Sequence, residues 1–262
     1  VVAVSRRVKR ASITLGRDRL QRSMKMAQYD ITPDTTFSTP YAADERVTMF
    51  LRSVYGWMCA GLGITALVAF YVAQSPTLIR AIAGNPVFYW GLMIAQLGLV
   101  FFLSARVDKI AAGTASLLFV LYSGLTGVTF AFILLAFTGA SIATTFMISA
   151  GMFGALALYG TTTSRSLAGW GQFLFMGLIG VVLASFVGIF WQNSGFQFVL
   201  GFIGVIVFTG LTAYDAQRLK EMALALPSGQ IGSYAIVGAL TLYLDFINLF
   251  LMLLRFTGSR RE

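Results

Sequence analysis

Apolar and polar positions alternate along this chain on the scale of whole segments. After a polar leader, predominantly apolar runs occupy residues 53–73, 87–105, 111–136, 142–160, 170–190, 196–218 and 233–254. Each is about 20 residues long, the length of helix that crosses a ~30 Å hydrocarbon layer. The pattern predicts an all-α integral membrane protein, a seven-helix transmembrane bundle over residues 45–258 with a short tail at 259–262. Six crossings plus a re-entrant last segment is the alternative. Residues 26–52 carry Pro33, Pro40 and scattered charges, and read as a flexible stretch leading into a short interfacial helix over 44–52.

Composition supports a lipid solvent. Apolar residues make up 57% of the 262 and charged residues 11%, with a mean hydropathy of +0.79, far from the roughly one-quarter charge of soluble domains. Helices in lipid associate through close packing and polar contacts, because the tails are as apolar as leucine. Small residues are therefore needed, and glycine occurs 27 times. Ser123 with Gly127, and Ala150 with Gly154, have the four-residue spacing that lets helices approach; plain packing is the simpler reading of both pairs.

The net charge of +9 and pI near 10.0 come largely from one place. Arg6, Arg7, Lys9, Arg10, Arg17, Arg19, Arg22 and Lys25 all precede residue 26. A basic segment beside a membrane sets topology or touches anionic lipid, and no nucleic-acid partner is expected. Residues 1–44 form a polar, basic segment predicted to be disordered. Because Met24 and Met26 follow the basic stretch, its first 25 residues are candidates for an over-extended gene model. No apolar segment of signal-peptide type precedes residue 50, so the first span serves as the targeting signal.

Basic residues in short loops set orientation. The N-terminal segment, Arg106 with Lys109, Arg165, and Arg218 with Lys220 fall on one side, against Arg80 on the other, which predicts a cytoplasmic N-terminus. Arg255, Arg260 and Arg261 at the far end of the last span conflict with seven crossings, and the side of the C-terminus stays open. Connections such as 138–141 and 191–195 leave no room for a soluble catalytic domain.

The chain has no histidine and a single cysteine, Cys59. That excludes histidine-based catalysis, histidine metal ligation and an internal disulfide. Any response to pH falls to carboxylates. No enzyme activity and no cofactor are expected.

From Lys109 to Arg218, across four spans, the intervening charges are Arg165 and Asp215; the next acid inside a span is Asp245. A charge at bilayer depth costs about 2.5–3.5 kcal/mol on insertion scales, so such residues are functional candidates. Asp215 has Arg218 three residues on, and an interfacial ion pair would account for it. Asp245 has no such neighbour: Arg255 is about 15 Å away along a helix. Gly238, Thr241, Asp245, Asn248 and Met252 share one face, too polar for lipid, where Thr241 and Asn248 are placed to hydrogen-bond the carboxyl group. The sixth and seventh spans are antiparallel neighbours, so the two aspartates meet if the last span starts near Ser233 to Ile236. Two satisfied but separate acids are the alternative. Carboxylates in contact favour one shared proton. Two aspartates with Asn248 and a few carbonyls fall short of the six to eight oxygens of a Ca²⁺ storage site, and describe a transit site.

The run Phe208-Thr209-Gly210-Leu211-Thr212-Ala213-Tyr214-Asp215-Ala216-Gln217 and, above all, Leu242-Tyr243-Leu244-Asp245-Phe246-Ile247-Asn248-Leu249-Phe250, with Leu253-Leu254-Arg255-Phe256 after it, resemble the last two helices of the Bax inhibitor-1 family, which includes bacterial YccA-like proteins. The resemblance covers about residues 45–258. It implies a bundle with the last helix central, in a bacterial inner membrane, and a pH-sensitive Ca²⁺ leak controlled by an aspartate pair at Asp215 and Asp245. It also implies a latching arginine, for which Arg106 is the candidate, with Arg218 nearby. Where some members carry a glutamate in the second span this chain has Gln96. A second implied role is regulation of a membrane-bound AAA protease. A retinal pigment does not fit, since the last span has no lysine, and the further motif of membrane aspartyl proteases is absent.

Overall fold

The computed structural model describes residues 40–191, 193–227 and 230–261, and these are almost entirely helical. The helices are α1 (Pro40–Ala73), α2 (Pro76–Ala83), α3 (Pro86–Arg106), α4 (Ala112–Ala136), α5 (Gly139–Thr162), α6 (Ala168–Phe190), α7 (Ser194–Ala225) and α8 (Ile231–Thr257), with a 3₁₀ turn at Val107–Lys109 after α3. All but α2 are long and apolar enough to cross a membrane, giving seven spans among the described residues.

Two sequence expectations change at the entry to the bundle. The interfacial helix expected at 44–52 is not separate, because α1 runs unbroken from Pro40 to Ala73. Asp44, Glu45, Arg46 and Arg52 end the lipid-soluble part of the segment without ending the helix, and between them Phe50 is already buried. The last residues of the segment predicted to be disordered are thus helical, while its residues 1–39 lie outside the described residues. The short helix α2 was not expected. Its N-cap Ser75 accepts a hydrogen bond from the Leu78 amide at 3.4 Å, and Pro76 opens its first turn, both standard start signals.

α8 is the axis of the bundle. Of the most apolar window in each span, 72% is buried in α8, 44% in α7 and 11% in α3, so α3 faces lipid and α8 faces protein. α8 packs on α7, α5 and α4, while α6 reaches the bundle through α7. The re-entrant alternative is excluded by length: at 27 residues, α8 spans about 40 Å. Beyond it, Arg260 forms an antiparallel bridge with Phe137. The Thr138 amide donates to the Ser259 carbonyl at 3.0 Å, and the Arg261 amide to the Ala136 carbonyl at 3.0 Å. The arginines at the end of the last span therefore sit at the face opposite the one where α1 enters, tied by backbone pairing to the α4–α5 turn.

Close approach is concentrated at particular glycines. A Cβ on Gly127 would lie 2.8 Å from the Thr65 carbonyl oxygen, whereas one on Gly154 would meet nothing within 4 Å. Of the two small-residue pairs singled out in the sequence, the one containing Gly127 makes a helix contact and the glycine of the other faces open space. Beside Gly127, the Thr65 hydroxyl lies 3.0 Å from the carbonyls of Gly61 and Ser123 and 2.6 Å from the Tyr243 hydroxyl. Thr65 has one hydrogen, which those carbonyls claim, so Tyr243 donates to Thr65. This joins α1 to α8 through a side chain with 0% exposure. Tyr243→Phe is expected to destabilise the bundle by about 1 kcal/mol. A double-mutant cycle with Thr65→Val in reversible denaturation checks this; additive losses would show that the pair does not interact.

At the face where α1 enters, long-range contacts hold the connections. The Arg46 guanidinium donates to the Leu226 carbonyl, Tyr234 donates to the Asp108 carboxylate, and the Ser233 hydroxyl donates to the Ile110 carbonyl at 2.7 Å. On α7, Gln217 accepts from the Leu167 amide at 2.7 Å and donates to the Arg165 carbonyl at 2.9 Å. Lys220 reaches the Thr161 carbonyl at 2.7 Å. Together Gln217 and Lys220 grip the α5–α6 connection.

Candidate functional site: an aspartate pair in an interhelical cleft

α7 continues to Ala225, ten residues beyond Asp215, and α8 begins at Ile231, fourteen residues before Asp245. Antiparallel helices with these lengths place the two aspartates within about one helical turn in depth. The late start that the sequence required of α8 is unnecessary, because α7 is longer than its apolar run. The two side chains face the same cleft.

Both carboxyl groups line a cleft of about 490 Å³ between α6, α7 and α8. Asp245 is 6% exposed, and its Oδ2 is buried without a hydrogen-bond partner. Asp215 is half-buried and Arg218 exposed. The cleft narrows at the ends of the polar stripe of α8. A Cβ on Gly238 would lie 2.7 Å from Leu219 of α7, and one on Gly204 of α7 would lie 2.7 Å from Met252. The cleft and the two acids lie between these two tight contacts.

Thr241, Asn248 and Arg218 line this cleft with the pair. Thr241 and Asn248 do not supply the hydrogen bonds to Asp245 expected of them. The Thr241 hydroxyl donates to the Val237 carbonyl at 3.1 Å and the Asn248 amide to the Leu244 carbonyl at 2.9 Å, each one turn back on α8. A helical carbonyl four residues earlier is always within reach of such short side chains, and both take it. Arg106 is exposed at the end of α3 and is not among the residues lining the cleft. Gln96 lies outside it too, 3.5 Å from the Thr126 hydroxyl, with its Nε2 buried and unpaired.

Three residues around the pair were not anticipated. Tyr214 and Gln172 line the cleft, and a Cβ on Gly171 would come within 2.7 Å of the Tyr214 ring, so α6 needs a glycine there for the ring to lie against it. Gln217 anchors the helix end beside Asp215. The signal available was polarity alone: glutamines in apolar spans. Among the described residues, no group of three or more His, Cys, Asp and Glu side chains gathers into a metal-binding set. The acidic pair stands by itself.

Seven spans around a buried axial helix, with an acidic pair at mid-depth, define a multi-pass α-helical membrane protein with an ionisable interior site. The chain belongs to the family described as inhibitor of apoptosis-promoting Bax1, whose sequence model matches residues 47–262. Among its relatives, inner membrane protein YbhL of Escherichia coli K12 is 53% identical over 215 residues, covering 81% of this chain and 92% of that protein. A protein of Borreliella burgdorferi is 44% identical over 215 residues, covering 81% and 93%. One of Rickettsia prowazekii is 38% identical over 237 residues, covering 87% and 97%. With the seven apolar helices, this kinship makes the chain a multi-pass inner membrane protein.

Proposed function

We propose that this protein is a pH-sensitive cation leak channel of the inner membrane, with Ca²⁺ as the permeant ion and the Asp215–Asp245 pair as its gate. The observation that carries the reading is the Asp245 oxygen buried without a partner beside a second carboxylate. One proton between the two groups leaves a single negative charge and holds α7 against α8. Losing it leaves two like charges in contact in a medium that screens them poorly. Repulsion then favours separation of the helices, and the exposed oxygens attract a cation. With two carboxylates and the Asn248 side chain, the site offers too few oxygens to retain Ca²⁺ and suits passage. Arg218, exposed at the same cleft, offers Asp215 a countercharge in the closed state, and the N-terminus is cytoplasmic on this reading. The pair holds and releases a proton and an ion and performs no covalent chemistry.

The leak is therefore expected to rise with pH, by at most about tenfold per unit for one controlling proton. Ca²⁺ entry into proteoliposomes loaded with an indicator dye, followed from mildly acidic to mildly alkaline buffer, measures it. Asp215→Asn with Asp245→Asn should abolish the pH response and reduce the flux to that of empty vesicles. A double variant that leaks like the native protein, or a native leak that falls as pH rises, would defeat the reading.

A further inference from the structure

The cleft beside the aspartates is larger and more apolar than an inorganic ion requires. Its walls are Phe175 and Leu178 of α6, Phe208 and Leu211 of α7, and Leu244 of α8, with Tyr214 beside Asp215. At about 490 Å³ it falls within the range of pockets that take small organic molecules. A hydrated divalent ion would leave these walls facing water. The carboxylates, by contrast, share the cleft with these apolar side chains, and Asp245 Oδ2 there has no partner.

From this combination we infer that the cleft is a binding site for small organic cations, a substituted ammonium carrying an apolar or aromatic group. The ammonium head supplies the charge that the Asp245 oxygen lacks. It is weakly hydrated and costs less to bring into a poorly solvated site than Ca²⁺ does. The substituent fills the chamber, where Phe175, Phe208 and Tyr214 offer aromatic faces to a cation. The charged groups lining the cleft are Asp215, Asp245 and Arg218. Arg218 is exposed, so solvent screens its repulsion of the ligand. The assignment rests on the channel reading in giving the acidic pair to cations, but its test does not pass through ion flux.

Benzyltrimethylammonium is a suitable probe: its charge is permanent and its neutral isostere, neopentylbenzene, has the same shape. Equilibrium binding of the radiolabelled cation to the full-length protein in phosphatidylcholine nanodiscs is expected to saturate at one per chain. Asp215→Asn with Asp245→Asn should weaken it at least tenfold by removing the charge. Leu178→Trp should do the same by filling the chamber with both acids intact, and Phe175→Ala, which removes one aromatic wall, serves if the tryptophan variant does not fold. Neopentylbenzene should not compete. No saturable binding to the native protein, native-like binding by the folded double Asp-to-Asn variant or by the folded cleft variant, or equal competition by the isostere overturns the inference. Absent binding together with an aspartate-dependent Ca²⁺ leak removes the organic-cation site and leaves the channel; binding without leak does the reverse.

Discussion

Replacing Gly160 by leucine is expected to prevent the bundle from forming. A Cβ at this position would fall on the Ala213 carbonyl oxygen, with the carbonyl carbon at 3.0 Å and the Ala216 Cβ at 3.1 Å. None of these atoms belongs to a flexible side-chain end, so the clash cannot be relieved by a rotamer change. α5 and α7 would have to separate, losing contacts along two of the most extensively packed helices. Overpacking of this kind costs about 3 kcal/mol or more, and a membrane bundle has no hydrophobic drive to recover it. The variant should aggregate on extraction or elute as a broad distribution in size-exclusion chromatography, at a fraction of the native yield. Gly154→Leu is the matched control: it lies on the same helix, and a Cβ there would meet nothing within 4 Å. It should behave like the native protein. A monodisperse Gly160→Leu protein with native thermal stability would show that α5 and α7 do not approach as described.

The second large effect is expected at Gln217. Its side chain accepts from the Leu167 amide and donates to the Arg165 carbonyl, and it is 7% exposed. Leucine in its place fills the volume but leaves both backbone groups to find other partners. Each unsatisfied group costs about 1–3 kcal/mol where water does not reach it, and the cost falls on the α5–α6 connection. Local opening there should rise by one to two orders of magnitude, about 10- to 100-fold for 1.4–2.8 kcal/mol. Trypsin reports this directly, because Arg165 is exposed within the connection: cleavage after Arg165 should accelerate by that factor in Gln217→Leu. Cleavage at the native rate would mean that the loop is held by other contacts. Gln217 acts as a positioning residue, two residues from Asp215 and fastened to the connection that opens α6, a wall of the cleft.

The spans were legible in the sequence because hydropathy reports depth in the bilayer, and an apolar run of bilayer length would be insoluble almost anywhere but in lipid. Depth is not helicity, however. α1 continues through Asp44, Glu45, Arg46 and Arg52, and α7 extends past Arg218 to Ala225, since charged residues leave the hydrocarbon without breaking hydrogen bonds along a helix. That extension is what brings Asp215 level with Asp245. The two aspartates stood out because charge in lipid is costly. What Thr241 and Asn248 bond to could not be read in advance, because a shared helix face does not distinguish a neighbouring carboxylate from a carbonyl one turn back. Gln217 and Gly160 were missed for the converse reason. Their importance lies in atoms about 50 residues away along the chain, and a glutamine or glycine looks the same in sequence whether or not those atoms are present.

The two faces of the bundle start their helices differently. On the face where α8 ends, α2, α3, α5 and α7 are capped by Ser75, Asn85, Thr138 and Asn193, each bonded to an amide a few residues ahead. On the other face, α4, α6 and α8 follow Ala111, Leu167 and Gln230, none of which makes a side-chain cap. The first group of starts is encoded locally and can form as each segment leaves the insertion machinery. The start of α6 has a local bond, from the Ala168 amide to the Ser166 hydroxyl, and also draws on Gln217, some fifty residues further along, which bonds the Leu167 amide. The cleft that α6 and α7 enclose with α8 is therefore tied, at the start of α6, by a contact between spans and not by a local cap alone.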